Sequence, residues 1–162
     1  MQDAKTAVAK SKKPKVSLIT LGCSKNLVDS ELMLGSLAKE GFEFSQEPEK
    51  SDVIVINTCG FIDKSKEESV NKILEMAELK KLGNKVLVAT GCLTQRYLKE
   101  LEVELPEVDM FLGLGEFDQI GNLLKRRMLN HEILARSINS DKQILPDPDQ
   151  ARILATTKHY TY

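Results

Sequence analysis

Short apolar runs alternate along this chain with longer segments in which apolar residues recur every three or four positions. The clearest run is 52–57 (DVIVIN), where four consecutive β-branched residues predict a strand that is buried on both faces. Similar runs at 15–21 (KVSLITL), 85–90 (KVLVAT) and 108–114 (VDMFLGL) predict three more strands. A weaker run at 42–45 predicts a marginal fifth strand.

Helical periodicity fills the segments between these runs. The first predicted helix has Asn26 as its N-terminal cap, and the second begins at a capping-box sequence at Ser65. A third is capped by Thr94 and ends before Pro106, and a fourth follows Gly115. Strands and helices that alternate at this spacing predict a three-layer α/β domain, in which helices cover both faces of a Rossmann- or flavodoxin-like parallel sheet of four or five strands.

The same pattern divides the chain into three parts. Residues 1–14 precede the first strand, are rich in lysine, and are predicted to form a disordered basic arm. Residues 15–130 carry the strand and helix pattern of one domain. Residues 131–162 are predicted to be a linker, because the periodicity fades there and 146–148 (PDP) is a turn signature. A strand is predicted at 155–162, where the sequence stops.

Composition narrows the class of protein. The 162 residues carry a formal net charge of −1, which argues against a domain that binds nucleic acid through its own electric field. Apolar runs are too short to span a membrane, and the N-terminal segment lacks the apolar core of a secretory signal. We therefore expect a cytoplasmic protein without a membrane partner, in which thiols stay reduced. The three cysteines are an odd number, so a disulfide framework is disfavoured.

All three cysteines occur in one kind of sequence context. Cys23, Cys59 and Cys92 each follow a predicted strand closely, and each adjoins a glycine. The carboxyl ends of parallel strands share one edge of the sheet, so these thiols are expected to form a single site there. Each also lies at or near the start of a helix, which favours the thiolate and any anion bound to it.

Several kinds of site remain open for three such thiols. Zinc would need a fourth ligand, for which His131 and His159 are available. A cubane iron–sulfur cluster with three cysteine ligands would leave one iron open to an exogenous sulfur species or a substrate. A phosphatase-type anion loop is disfavoured because Arg96 falls within a helix, and the glycines at 113–115 are only a weak nucleotide-binding signal. The remaining interpretation is three unrelated, buried free cysteines.

Three segments of this sequence resemble the amino-terminal domain of the radical-SAM methylthiotransferases. They are 16–31 (VSLITLGCSKNLVDSE), 55–62 (VINTCGFI) and 89–97 (ATGCLTQRY), and the resemblance covers roughly residues 15 to 130. The GCSKN form with its following DSE is most similar to the branch that acts on an aspartate of a small-subunit ribosomal protein. The tRNA-modifying branch, which typically has a different residue pair after the first cysteine, is the alternative.

The resemblance implies a cofactor and a reaction. It implies that Cys23, Cys59 and Cys92 ligate an auxiliary 4Fe–4S cluster, whose open iron carries the sulfur that becomes a methylthio group. It implies a second 4Fe–4S cluster, in a following domain, that cleaves S-adenosylmethionine to a radical. The Cys-x3-Cys-x2-Cys motif of that domain and a C-terminal substrate-binding barrel are missing from this sequence. We therefore expect the fragment alone to be inactive in the complete reaction.

Four further residues beside the cysteines are predicted to contact the cofactor. Lys25 and Asn26 follow Cys23 and are expected to face the cluster or its exogenous ligand. The alternative for this pair is a solvated lysine beside a helix cap. Asn57 and Thr58, just before Cys59, are expected to donate hydrogen bonds to cluster sulfurs. A flavodoxin-like nucleotide-binding module and a zinc-binding module remain the non-enzymatic alternatives.

Overall fold

The apolar runs form one sheet of six parallel strands in the computed structural model, which describes residues 13–129, 136–138 and 153–154. The strands are β1 (Lys15–Thr20), β2 (Glu43–Phe44), β3 (Val53–Thr58), β4 (Val86–Gly91), β5 (Met110–Leu112) and β6 (Ser137–Ile138). The helices are α1 (Ser24–Lys39), α2 (Asp63–Lys81), α3 (Cys92–Glu104) and α4 (Ile120–Leu129). The strand expected at 155–162 and most of the basic arm lie outside the described residues, as do His131 and His159.

The strand order is β2-β1-β3-β4-β5-β6, and every pair of neighbours is parallel. The chain therefore moves outward from β1 to β2 and then returns to place β3 on the other side of β1. This reversal leaves a crevice at the carboxyl ends of β1 and β3, which is where open α/β sheets bind ligands. The predicted α/β class and parallel sheet are confirmed.

Two apolar cores lie on opposite faces of the sheet, because side chains of a strand alternate between its faces. Val53 and Val55 of β3 pack in the core under α1 and α4. Ile54 and Ile56 of the same strand pack in the core under α2 and α3. All six residues of β3 are buried, and helices pack on both faces of the sheet, so the predicted burial of this strand and the three-layer arrangement are confirmed.

The predicted start of the first helix is wrong. Helix α1 begins at Ser24 with Cys23 in the capping position, three residues before the expected cap at Asn26. Cys23 makes no side-chain capping bond, and the Asn26 amide is hydrogen-bonded to carbonyls outside the helix. The sequence rule fails here because the asparagine serves long-range contacts and not its own helix.

The second and third helices also begin earlier than predicted. Helix α2 begins at Asp63, ahead of Ser65, and an acidic residue in the first turn favours this start. Helix α3 begins at Cys92, directly after the glycine turn, and Thr94 is buried inside it and does not cap it. The turns after β3 and β4 are therefore shorter than the sequence pattern suggests.

A sixth strand exceeds the four or five that were predicted. Strand β6 extends the sheet by pairing Phe111 with Ser137 and Leu112 with Ile138. Two residues are too few to produce a recognisable apolar run. Among the described helices, none combines the length and the apolar character that crossing a bilayer would require.

Candidate functional site

Three strand-to-helix junctions at the carboxyl edge of the sheet carry the cysteines. Cys23 lies between β1 and α1, Cys59 directly follows β3, and Cys92 is the first residue of α3. Since β1, β3 and β4 are neighbours in the sheet, the three junctions are adjacent. All three cysteines line one open pocket of about 770 Å³. The structure therefore brings together the three residues that the sequence pattern selected.

Glycine allows these junctions to approach closely. Gly22 has φ +92°, and a Cβ placed on it would lie 2.6 Å from the Cβ and 2.7 Å from the Sγ of Cys59. Gly91 has φ +101°, and a Cβ there would lie 2.4 Å from the carbonyl oxygen of Thr58. Both positions combine a left-handed backbone with no room for a side chain. The junctions of Cys23 and Cys92 therefore pack directly against the end of β3.

The three thiols differ in their exposure to solvent. Cys23 is exposed, Cys92 is half-buried, and Cys59 is 5% exposed. Burial raises the pKa of the Cys92 thiol, and the nearby ammonium group of Lys25 only partly offsets that effect. Cys92 Sγ donates a long hydrogen bond of 3.9 Å to Asn26 Oδ1. At neutral pH the Cys92 thiol therefore stays protonated, and a metal that binds its thiolate must displace that proton.

Lys25 supplies a positive charge at the mouth of the pocket. Its Nζ lies 2.6 Å from Asp29 Oδ2, one helical turn further along α1. Although burial lowers it, the pKa of Lys25 is raised overall by the hydrogen bond and the charge of Asp29, with smaller contributions from Cys92 and Cys23. A lysine cation beside these thiols favours thiolates and anionic ligands in the pocket.

Asn26 also lines the pocket but is almost completely buried, at 1% exposure. Its Nδ2 donates to the carbonyl oxygen of Leu21 at 2.7 Å and to that of Thr58 at 3.1 Å. One amide group thus bridges the loop that precedes Cys23 and the end of the strand that precedes Cys59.

Asn57 and Thr58 lie beneath the pocket and do not line it. Asn57 Nδ2 donates to the carbonyl oxygen of Asn26 at 2.8 Å and to Ser30 Oγ at 3.0 Å. Its Oδ1 is buried and has no hydrogen-bond partner among the described residues. Thr58 Oγ1 donates to the carbonyl oxygen of Thr90 at 2.6 Å. Both side chains donate to protein groups, so their expected role as donors to a cofactor stays a prediction.

Two further residues support the Cys59 junction: Ser69, which the sequence pattern did not single out, and Arg96, which was considered only for an anion loop. Ser69 Oγ accepts a hydrogen bond from Cys59 N–H and donates one to the Cys59 carbonyl, both at 3.0 Å. Arg96 Nη1 of α3 donates to the carbonyl of Gly60 at 3.2 Å. Ser69 interrupts the apolar face of α2 one turn before Ile73, and a polar residue at such a position was the available signal.

The three cysteines do not form a site for a single metal ion as they stand. Among the described residues, no three His, Cys, Asp or Glu side chains lie close enough to hold one ion. A tetrahedral zinc ion with Zn–S bonds of about 2.3 Å requires sulfurs roughly 4 Å apart. The cysteines of a cubane cluster bind different iron atoms, so their sulfurs stand further apart. The zinc alternative depended on His131 or His159, which lie outside the described residues.

Comparisons with known proteins identify relatives over most of the chain. Residues 15–113 match the model of the uncharacterized protein family UPF0004. The chain is 44% identical over 149 residues to ribosomal protein uS12 methylthiotransferase RimO of Clostridioides difficile, which is 91% of this chain and 33% of that protein. It is 53% identical over 133 residues to the protein of the same name from Myxococcus xanthus, which is 82% of this chain and 26% of that protein. The chain thus spans a third or less of the length of these relatives.

Proposed function

We propose, from the premise that this chain belongs to the uncharacterized protein family UPF0004, that residues 15–130 form the iron–sulfur-cluster domain of a methylthiotransferase. The observation that carries the proposal is the convergence of three cysteines, from three separate strand-to-helix junctions, on one pocket. Residues 131–162 are proposed to link this domain to a radical-SAM domain, which would hold S-adenosylmethionine and a second 4Fe–4S cluster.

In this proposal the ligands of the auxiliary 4Fe–4S cluster are Cys23, Cys59 and Cys92. When bound, such a cluster supplies an iron atom with an open position for an exogenous sulfur species. The donor set fits the cofactor, because thiolates are the ligands that iron–sulfur clusters select. The geometry fits as well, because glycines remove the side chains that would separate the junctions.

The chain's own groups would prepare the pocket for this cofactor. Lys25 adds a positive charge that offsets the negative charge of three thiolates. Ser69 satisfies both backbone groups of Cys59 and so fixes the junction that carries the least exposed thiol. The apolar side chains of Phe61 and Ile62, which are 81% and 52% exposed, form part of the pocket rim.

The activity of the whole protein is proposed from its relatives. Both relatives are named as methylthiotransferases of ribosomal protein uS12. We therefore propose that the full-length enzyme acts in the cytoplasm and methylthiolates an aspartate of that small-subunit ribosomal protein. The chain described here is proposed to hold the auxiliary cluster and to lack the complete activity on its own. The relatives' names favour this substrate over tRNA.

Anaerobic reconstitution with iron and sulfide tests the cluster proposal. We expect about four iron atoms per chain and a broad visible absorption. C23A, C59A and C92A should each prevent stable incorporation of iron. S51A is the matched control, because Ser51 is a small buried residue at the opposite edge of the sheet, and iron binding should be unchanged.

Two other results would contradict the cluster proposal and support a different function. Purified protein that contains one zinc ion and takes up no cluster would indicate a zinc module. Binding of a flavin or nucleotide that persists in all three cysteine variants would indicate a flavodoxin-like module, because the pocket lies at the reversal of strand order where such folds bind their ligand.

A further inference from the structure

We infer that Asn26 is a positioning residue, whose side-chain amide holds the three cysteine junctions together before any cofactor binds. The inference rests on the proposed function, because it concerns the arrangement of the three proposed ligands. It assigns Asn26 a role that acts through the protein, in place of the direct contact with a cofactor that its sequence position suggested.

Each polar atom of the Asn26 side chain serves a cysteine junction. Nδ2 donates to the carbonyl oxygen of Leu21, two residues before Cys23, at 2.7 Å. The same Nδ2 donates at 3.1 Å to the carbonyl oxygen of Thr58, which directly precedes Cys59. This amide therefore connects the first and second junctions through backbone groups and not through the thiols.

The remaining atom of the amide faces the third junction. Oδ1 accepts the long hydrogen bond from Cys92 Sγ at 3.9 Å. The two carbonyl acceptors fix which end of the amide is nitrogen, so the oxygen must face Cys92. The Asn26 side chain is therefore hydrogen-bonded to one group in each of the three cysteine junctions.

The backbone of Asn26 is itself held in place from below. Its carbonyl oxygen accepts a hydrogen bond of 2.8 Å from Asn57 Nδ2 at the end of β3. The same nitrogen donates to Ser30 Oγ, and that hydroxyl is also hydrogen-bonded to Thr20 Oγ1 of β1 at 2.7 Å. The central strands therefore orient the amide, and the amide orients the junctions.

No other small side chain offers the same set of bonds. An aspartate has only acceptors at neutral pH, and it would face the carbonyls of Leu21 and Thr58 without a proton to share. An alanine would leave both carbonyls without this donor and open a gap. At 1% exposure, water has little access to replace the lost bonds.

Cross-linking of the cofactor-free protein tests this inference without relying on activity or on iron. Dibromobimane becomes strongly fluorescent when it bridges two nearby thiols, so its fluorescence reports how often the cysteine junctions lie together. Rates are normalised to single-thiol alkylation by monobromobimane, because the carboxylate that N26D introduces beside Cys92 slows alkylation by its charge alone. In N26D we expect the normalised cross-linking to be slower by about tenfold or more, since one lost buried hydrogen bond of about 1.4 kcal/mol already changes an equilibrium constant tenfold. Iron retained after anaerobic reconstitution should fall in parallel.

Two control variants separate positioning from general stability. S51A removes a buried hydroxyl at the opposite edge of the sheet, where Ser51 Oγ donates to the carbonyl oxygen of Glu47. N71D makes the same chemical change at an exposed asparagine of α2. Both should keep the cross-linking rate and iron content of the unmodified protein, even though S51A lowers the thermal midpoint.

The outcomes distinguish this inference from the proposed function. If the unmodified protein cross-links but never takes up iron, the cluster proposal fails and the positioning role can still be judged from fluorescence. If N26D cross-links as fast as S51A and N71D do, the positioning role is refuted. Should N26D fail to fold, N26A is compared with S51A at the same interval below the thermal midpoint of each variant, and equal rates there would also refute the positioning role.

Discussion

Replacing Gly22 with alanine should separate the contact with Cys59 from ordinary backbone strain. Gly22 has φ +92°, and its new Cβ would lie 2.6 Å from the Cys59 Cβ and 2.7 Å from the Cys59 Sγ. Gly41 offers a matched control, because it has φ +87° and a Cβ there would meet nothing within 4 Å. Both substitutions place alanine in the left-handed region, and only one of them creates a collision.

The two terms can be estimated separately. A non-glycine residue in the left-handed region costs about 1–2 kcal/mol, and this cost lowers the free energy of unfolding of both variants. Overpacking against a buried side chain costs a further 1–3 kcal/mol or so, and this second cost applies only to G22A. We therefore expect G41A to lower the free energy of unfolding by about 1–2 kcal/mol and G22A by roughly 2–5 kcal/mol.

Urea unfolding of the metal-free protein measures these differences, and anaerobic reconstitution measures the effect on the site. G22A should bind iron poorly even where it is fully folded, because the Cys59 thiol must move to admit the methyl group. G41A should bind iron as the unmodified protein does. Equal losses of stability in the two variants, together with equal iron content, would refute the claim that Gly22 is required by its contact with Cys59.

Three further predictions concern the surroundings of the thiols. S69A should lower the free energy of unfolding by about 1–3 kcal/mol, because two buried backbone groups of Cys59 lose their partner, and urea unfolding checks this. Burial raises the pKa of Cys92, so its thiolate fraction at neutral pH is small and its alkylation should become fast only in alkaline solution, as followed by mass spectrometry across a pH series. K25M removes a charge that lowers the Cys92 pKa and should slow this alkylation, whereas D29N removes one that raises it and should speed the reaction. Identical pH profiles in these two variants would contradict the electrostatic account.

The core of the fold and the meeting of the cysteines follow from the strands. The run at 52–57 is apolar enough to require burial on both faces, and it forms the fully buried centre of the sheet as β3. Once the strands are parallel, their carboxyl ends share an edge, so residues that follow three neighbouring strands must lie near one another. The positions of Cys23, Cys59 and Cys92, each shortly after a strand, were therefore enough to predict where the pocket lies.

The starts of the helices could not be predicted for a physical reason. Capping rules assume that a polar side chain at a helix start bonds to that helix's own backbone. Asn26 and Thr94 are instead 1% exposed, and Asn26 is hydrogen-bonded to other elements of the fold. Long-range partners of this kind leave no local periodicity in the sequence.

Strand β6 was missed because tertiary contacts hold it in place. Arg136, which precedes it, donates through Nε to the carbonyl of Val108 at 2.9 Å and through Nη1 to that of Glu102 at 2.7 Å. Its guanidinium also lies 5.1 Å from the ring centroid of Phe111. A pairing of two residues that such contacts support has no apolar pattern from which to predict it.

The buried polar groups at and beneath the floor of the pocket link the stability of the fold to the affinity for a cofactor. Asn26, Asn57 and Ser30 are buried between the apolar cores and the cysteines, where polar groups lose free energy unless they are paired. Their bonds run from the central strands to the junction backbones, so they stabilise the arrangement that a three-thiolate cofactor would require. A ligand that binds this arrangement and not the unfolded chain must raise the free energy of unfolding. Substitutions that weaken these bonds should therefore lower stability and cofactor affinity together, whereas substitutions in the apolar cores should lower stability first.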